Sequence, residues 1–264
     1  MIAETTHRLA GGLFEYRDFG AVSLTGFAEP VPVWQVLRPS AVESRFEALR
    51  AGALTPLVGR EEELELLLRR WQRANAGEGQ VVLLSGEPGI GKSRLSAALR
   101  ERLEGEPHAR LRYFCSPHHQ DSALHPFIAQ LGRAAGFAQD DTPEQKLGKL
   151  AALIAPGARD HDEVTLIADL LSLLPSGAAE LDLTPQRKRE KLLAALLHQL
   201  DALARQQPVL MVVEDLHWMD PSSRELLDLT VERAASLPVL LILTFRPEFQ
   251  APWNGLPQVT ALIL

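Results

Sequence analysis

One cysteine, Cys115, is all that the 264 residues contain, so an internal disulfide is excluded and no partner exists for a CxxC metal or redox pair. That scarcity points to a reducing, cytoplasmic setting. Long apolar runs are missing too. The longest, at residues 81–84 and 239–243, fall far short of bilayer length, and the N-terminus has no basic stretch leading into an apolar one, so neither membrane spanning nor secretion is supported. Positive charge is in deficit. A formal net charge of −7 and a pI near 5.7 argue against a chain whose main task is gripping a nucleic-acid backbone, which needs a concentrated basic surface. Internal repeats, low-complexity tracts and long charge runs are absent; Arg187, Lys188 and Arg189 form a brief basic cluster that Glu190 and Lys191 follow.

What is present is 46% apolar sequence, enough to bury the core of one large domain, or of one domain plus a smaller piece. Residues 12–37 read as extended: Leu13, Phe14 and Tyr16, a turn near Gly20, then Val22, Leu24 and Phe27, and an apolar stretch from Val31 that Pro30 and Pro32 interrupt. That pattern predicts a hairpin with an edge strand. Residues 39–55 are mixed and less apolar, with a short helix expected around Val42 to Leu49, and read as a linker. Leu64, Leu67, Leu68 and Trp71 then recur at helical spacing, and Gly77 and Gly79 end that helix. Four further strands follow a buried one at 81–85, centred on 111–115, 209–213, 239–244 and 259–264. Helical stretches separate them, which predicts parallel crossovers. Between the second and third strands lies an all-helical insertion, its last helix opened by Thr184 as N-cap and Pro185 at the first position, with Leu192, Leu193, Leu196, Leu197 and Leu200 on one face.

The chemistry is concentrated in two motifs. Gly86-Glu87-Pro88-Gly89-Ile90-Gly91-Lys92-Ser93 fits GxxxxGK[ST], in which glycines let successive backbone N–H groups converge on phosphate oxygens. Lys92 is expected to reach the β- and γ-phosphates and Ser93 to place its hydroxyl on Mg²⁺. The helix that continues through Arg94 adds unpaired N–H groups and the positive end of its dipole. The second motif is the apolar run from Val209 into Glu214-Asp215, a buried strand delivering acids at the edge where open parallel sheets bind ligands. Neighbouring strand residues point to opposite sides, so one acid is expected on the metal and the other on the attacking water. The residue taking each role stays open on spacing alone.

Asp220-Pro221 reads as N-cap and first residue of a helix whose buried face begins at Leu226 and Leu227. His217 and Trp218 lie just before it and are expected to pack that loop. Thr244-Phe245-Arg246 ends the fourth strand, where Arg246 can sense a γ-phosphate and stabilise charge during its transfer. His118, His119 and His125 form a histidine-rich loop, but no cysteine or acid follows at zinc-like spacing, which favours a structural role.

With these motifs and an upstream Val58-Gly59-Arg60-Glu61, residues 56–264 resemble the STAND class of AAA-like ATPases. The resemblance implies a three-layer α/β/α P-loop NTPase fold with a mostly parallel five-stranded sheet and ATP with Mg²⁺ as ligands. It also implies that Val58, Gly59 and Arg60 are contacts on the base side, that Glu214 takes the Mg²⁺ position and Asp215 that of the catalytic base. Aspartate is more usual than glutamate at the first of these places. Residues 1–38, through Leu13-Phe14-Glu15-Tyr16-Arg17-Asp18-Phe19-Gly20 and the stretch from Leu24 to Trp34, resemble the terminal hairpin of a class III adenylate/guanylate cyclase domain. Only that tail is present, so no cyclase activity is expected. The two resemblances together imply a larger signalling or transcription-regulating parent, other domains and protein partners of that parent as contacts, and room for a nucleotide-dependent oligomer.

Three readings follow. The first is a regulatory switch that binds ATP and hydrolyses it slowly, since the sequence stops after the fifth strand without the lid such ATPases carry. The second is an AAA+ ATPase acting on DNA, similar to origin-recognition proteins, against which the acidic charge weighs. The third is a fragment that binds nucleotide without turnover.

Overall fold

The computed structural model describes residues 1–27, 29–39, 57–175, 177 and 181–264. They form two compact units, Met1–Val58 and Gly59–Leu264. The helix expected at residues 42–49, and the linker sequence from residue 40 onward, lie outside the described residues.

The first unit comprises β1 (Ile2–Ala3), α1 (Glu4–Ala10), β2 (Phe14–Val22) and β3 (Val31–Pro39), with antiparallel order β1-β3-β2. The sequence placed the reversal near Gly20; β2 instead runs through it. Gly20 sits at φ 72° and its N–H donates to Asp18 Oδ1 at 2.7 Å, inside a register shift between Asp18 and Ala21. This positive φ makes a bulge, not a hairpin turn. The chain turns later, at Gly26, where the Phe27 N–H donates to Leu24 O at 3.1 Å. The proline-bearing strand, expected at an edge, is central. Pro32 is tolerated because β1 pairs only with Val33 and Trp34, and Pro32 lies past its end beside the irregular part of β2.

The second unit is built on a five-stranded parallel sheet of β4 (Gln80–Ser85), β5 (Ala109–Phe114), β6 (Val209–Glu214), β7 (Val239–Phe245) and β8 (Val259–Ile263), in the order β5-β6-β7-β4-β8. β6 and β7 are buried along their whole length, which explains their unbroken apolar sequence. Helix α2 (Glu61–Asn75) packs on β4 and β7, and α3 (Lys92–Arg102) packs on β7 and α2. On the other face Val81, Leu83, Met211, Val213, Leu241 and Leu243 share a core with α8 (Pro221–Ala234) and the helical insertion. This is the three-layer α/β/α P-loop NTPase fold. Gly79 marks a close approach: a Cβ there would lie 1.7 Å from the Ala234 carbonyl oxygen, so no side chain fits between β4 and the end of α8.

The insertion holds α4 (His125–Ala134), α5 (Pro143–Ile154), α6 (His161–Leu170) and α7 (Pro185–Gln206). Three of these helices start on the side-chain caps their sequences offer. Thr142 forms a capping box with Gln145, Asp160 accepts from the Glu163 N–H, and Thr184 accepts from the Arg187 N–H. α7 is the bridge: Leu193 and Leu200 bury against the sheet core, Ala195 belongs to a second cluster inside the insertion, and Leu192 and Leu196 pack against both. Among the described residues no helix is long and apolar enough to cross a membrane.

Candidate functional site

The β4 strand ends at Ser85, and the loop 86–93 crosses its C-terminal edge into α3. Gly86 is buried while Glu87, Pro88, Gly89 and Ile90 are exposed. Gly89 and Gly91 have φ of 81° and 113°, values that side-chain-bearing residues avoid, so these two glycines shape the loop. Gly91 is the N-cap of α3 and no side chain caps that helix. Its first N–H groups and dipole therefore face the loop without a protein acceptor supplied by a cap.

Lys92 is buried, and its Nζ donates to Gly86 O at 2.5 Å and Glu87 O at 3.0 Å. Burial lowers its pKa, opposed first by the Asp215 charge, while Arg246 adds to the lowering. Lys92, Asp215 and Arg246 thus share one electrostatic neighbourhood, reached from three different elements. Ser93 Oγ donates to Glu214 Oε2 at 2.9 Å, joining the loop to the end of β6. Arg94, half-buried, pairs with Glu101 at 3.3 Å along α3.

The two acids sit in different surroundings, because β6 ends at Glu214 and the chain leaves the strand at Asp215. Glu214 is 5% exposed; Asp215 is exposed and lies at φ 58°, its backbone N–H donating to Thr244 Oγ1 at 3.2 Å. Asp215 tolerates that left-handed conformation better than most residues. A residue the sequence reading left unmarked completes the acid's surroundings. Arg112 on β5 donates to Glu214 Oε1 through Nε at 2.8 Å and through a terminal nitrogen at 2.7 Å. The signal for it was an arginine inside an apolar strand, which gains meaning only when β5 is known to pair with β6.

Arg246 follows β7, 4.0 Å from Glu248 and 5.7 Å over the Trp218 ring. His217, set aside in the sequence as loop packing, tilts against Trp218, and both its ring nitrogens are buried without a partner. Burial lowers its pKa, with Asp215 opposing and Arg246 assisting, so it borders the same cluster. Val58 is 82% exposed. Gly59, at φ 68°, donates its N–H to Glu61 Oε1 at 3.2 Å, and Arg60 pairs with Glu63 at 2.8 Å. These contacts are local to the start of α2 and do not join Gly59 or Arg60 to the loop 86–93.

The histidine-rich loop has a structural anchor. Asp220 caps α8 through the Ser222 and Ser223 N–H groups, and the same Oδ1 accepts the Leu124 N–H at 3.1 Å, tying the start of α4 to α8. His119 and His125 stack with centroids 3.5 Å apart. Among the described residues no group of three or more His, Cys, Asp or Glu gathers as a metal site.

The donor set fits a nucleoside triphosphate with a divalent cation. An uncapped helix start, a buried lysine bonded only to carbonyls, and a hydroxyl already against a carboxylate are the groups a phosphate chain and a hard cation require. A sequence model of the AAA ATPase domain matches residues 56–242. An uncharacterized protein of Rhizobium meliloti (strain 1021) is 36% identical over 270 residues, covering 100% of this chain and 26% of that protein. The chain thus spans about a quarter of that relative's length. Among solved structures, Cdc6p of Pyrobaculum aerophilum aligns with TM-score 0.43 and 15% identity over 80% of this chain and 47% of that one. VirB4 of Thermoanaerobacter pseudethanolicus aligns with TM-score 0.30 and 13% identity over 70% and 76%.

Proposed function

Because the chain belongs to the AAA ATPase domain family, we propose that it is a regulatory switch whose state is set by ATP and Mg²⁺ at the edge of the parallel sheet. The observation that carries the reading is the 2.9 Å bond from Ser93 to Glu214, which joins the two motifs before any ligand is considered. The loop 86–93 and Arg94 would hold the phosphates, Lys92 the β- and γ-phosphates, and Ser93 and Glu214 the cation. Asp215, on the outer side of the strand end, would orient and deprotonate water. Arg246 would report the γ-phosphate from across the site, and Val58, Gly59 and Arg60 would lie towards the base. Bound ATP supplies the γ-phosphoryl group whose presence or loss distinguishes the two states, and Mg²⁺ supplies charge neutralisation.

The finer assignment goes with this reading. Residues 56–264 act as a STAND-type module, residues 1–38 as a cyclase-like tail and 39–55 as the connection, within a cytoplasmic signalling protein. The Val58-Gly59-Arg60-Glu61 stretch directly ahead of α2 supports the first part, and the antiparallel sheet of the first unit supports the second. The acidic charge favours protein partners over direct nucleic-acid binding.

Thermal unfolding with and without Mg-ATP tests the site, because a ligand at about a hundred times its dissociation constant adds about 2.7 kcal/mol to the native state. Lys92→Ala should remove the rise. The switch is tested by comparing the hydrodynamic radius with ADP and with a non-hydrolysable ATP analogue. Binding of both with identical radii would leave an ATP site but end the switch reading.

A further inference from the structure

The Glu214 carboxylate divides its two oxygens between different partners. Arg112 Nε donates to Oε1 at 2.8 Å, and a terminal nitrogen of the same guanidinium lies 2.7 Å from that oxygen. Ser93 Oγ donates to Oε2 at 2.9 Å. A carboxylate offers about four lone-pair positions, two on each oxygen. The guanidinium takes up both on Oε1, whereas Oε2 keeps one beyond the Ser93 bond, and the Ser93 hydroxyl is itself an acceptor that can turn.

The clamp is held from its own strand. β5 pairs with β6 so that Phe114 stands opposite Glu214 and Arg112 opposite Val212, which makes Arg112 a diagonal neighbour of the acid on one face. The Arg112 guanidinium lies 4.7 Å over the Phe114 ring, and Arg133 of α4 donates to the Arg112 carbonyl at 2.8 Å. A stacked arginine keeps its charge at any working pH and presents a rigid fork, so Oε1 stays occupied when a ligand arrives. Divalent cations differ in what they ask of such an acid. Mg²⁺ is small, insists on an octahedron and keeps several waters, while Ca²⁺ takes more oxygens and often both from one carboxylate. A glutamate with one oxygen open serves the first ion and denies the second its two-oxygen grip.

Resting on the reading that Ser93 and Glu214 hold the cation, we propose that Arg112 sets the choice of cation: by occupying Oε1 it limits Glu214 to one oxygen and favours Mg²⁺ over Ca²⁺ beside the nucleotide. Arg112 acts through Glu214, as a positioning residue.

The two ions carry the same charge, so removing a positive neighbour strengthens both alike and cancels in the ratio of their affinities. Only the freed oxygen discriminates. The dissociation constant of a non-hydrolysable ATP analogue, measured by calorimetry on the whole chain in excess Mg²⁺ and separately in excess Ca²⁺, gives that ratio. Affinities of the ions for the analogue in solution are common to every variant. Arg112→Met should shift the ratio about tenfold towards Ca²⁺, the lower end of the effect of groups that stand behind a metal ligand. Arg112→Lys keeps the charge and offers one nitrogen in place of two, so it should shift the ratio the same way by a smaller factor; it decides alone if the methionine variant does not unfold cooperatively. A wild-type ratio in the variants overturns the proposal. Glu214→Gln separates two ways of failing. Analogue binding in Mg²⁺ as tight as the wild type's would mean that Glu214 holds no cation, and the metal assignment falls with the inference. Weakened binding there, with unshifted ratios in the Arg112 variants, would leave the cation site standing and remove only the role of Arg112.

Discussion

Replacing Arg112 by methionine removes the counter-charge of the acid at the end of β6, together with the guanidinium that lies 4.7 Å over the Phe114 ring. Glu214 is 5% exposed and the Arg112 side chain 15%, so neither charge is screened like a surface ion. Methionine keeps the aliphatic stem and removes both donors on Glu214 Oε1, leaving the carboxylate with the Ser93 hydroxyl as its remaining side-chain partner here. Breaking a buried pair from one side costs about 3–5 kcal/mol. The expectation is therefore about 3 kcal/mol, read as a fall in unfolding midpoint of about 6–12 °C for a chain of this size. If Glu214 holds the cation that accompanies the nucleotide, that cation replaces the missing positive charge, and Mg-ATP should raise the midpoint of Arg112→Met by more than that of the wild type. The double change Arg112→Met with Glu214→Gln should recover much of the loss, since no isolated charge remains. Urea and thermal unfolding of the four proteins supply the cycle. A single variant within about 1 kcal/mol of wild type would refute the reasoning.

Three further outcomes are expected. Asp215→Asn should keep stability within about 0.5 kcal/mol, because the side chain is exposed and asparagine tolerates φ 58°; single-turnover ATP hydrolysis should fall about a hundredfold or more if Asp215 is the base. Gly79→Ala should cost about 3 kcal/mol or more in urea unfolding, since its Cβ meets the Ala234 and Leu237 carbonyls at 1.7 and 2.6 Å. Stability should fall as pH drops below about 6.5, because His125 and His217 are both held below that ordinary value, by burial first. The folded chain then binds fewer protons than the unfolded one, so the loss begins near 6.5 and levels off below the folded pKa values. Replacing both histidines by glutamine should flatten the profile between about pH 7 and 5, as read by denaturant midpoints.

The central strands β4, β6 and β7 were legible because buried parallel strands leave unbroken apolar runs. Each of the five strands appears within about two residues of its expected place, and Thr184, Pro185 and Asp220 announced their helices through chemistry that is local. Gly20 misled because a glycine at positive φ serves a bulge as readily as a turn. Pro32 misled because edge status depends on how far β1 reaches, which no local pattern reports. Arg112 was illegible for a related reason. Its partner is distant in sequence, and an arginine in an edge strand reads as solvent-facing until strand order puts β5 beside β6. His217 was underweighted because burial of both ring nitrogens beside Asp215 follows from the loop's path, not from its composition.

The alternation along β5 and β6 assigns the sheet two duties at once. Arg112 and Glu214 fall on the face of α3 and Ser93, whereas Leu111, Tyr113 and Met211, one or three residues away, fall on the opposite face, towards the insertion. The strands that hold the acid and its counter-ion are therefore also the wall on which the insertion packs. The Arg112–Glu214 pair spans those two strands. If nucleotide binding shifts β5 against β6, the ¹³C-methyl resonances of Leu111 and Met211 should move on adding Mg-ATP although they lie on the face away from Ser93. Resonances unchanged at saturating Mg-ATP would make the sheet a rigid wall between its two faces.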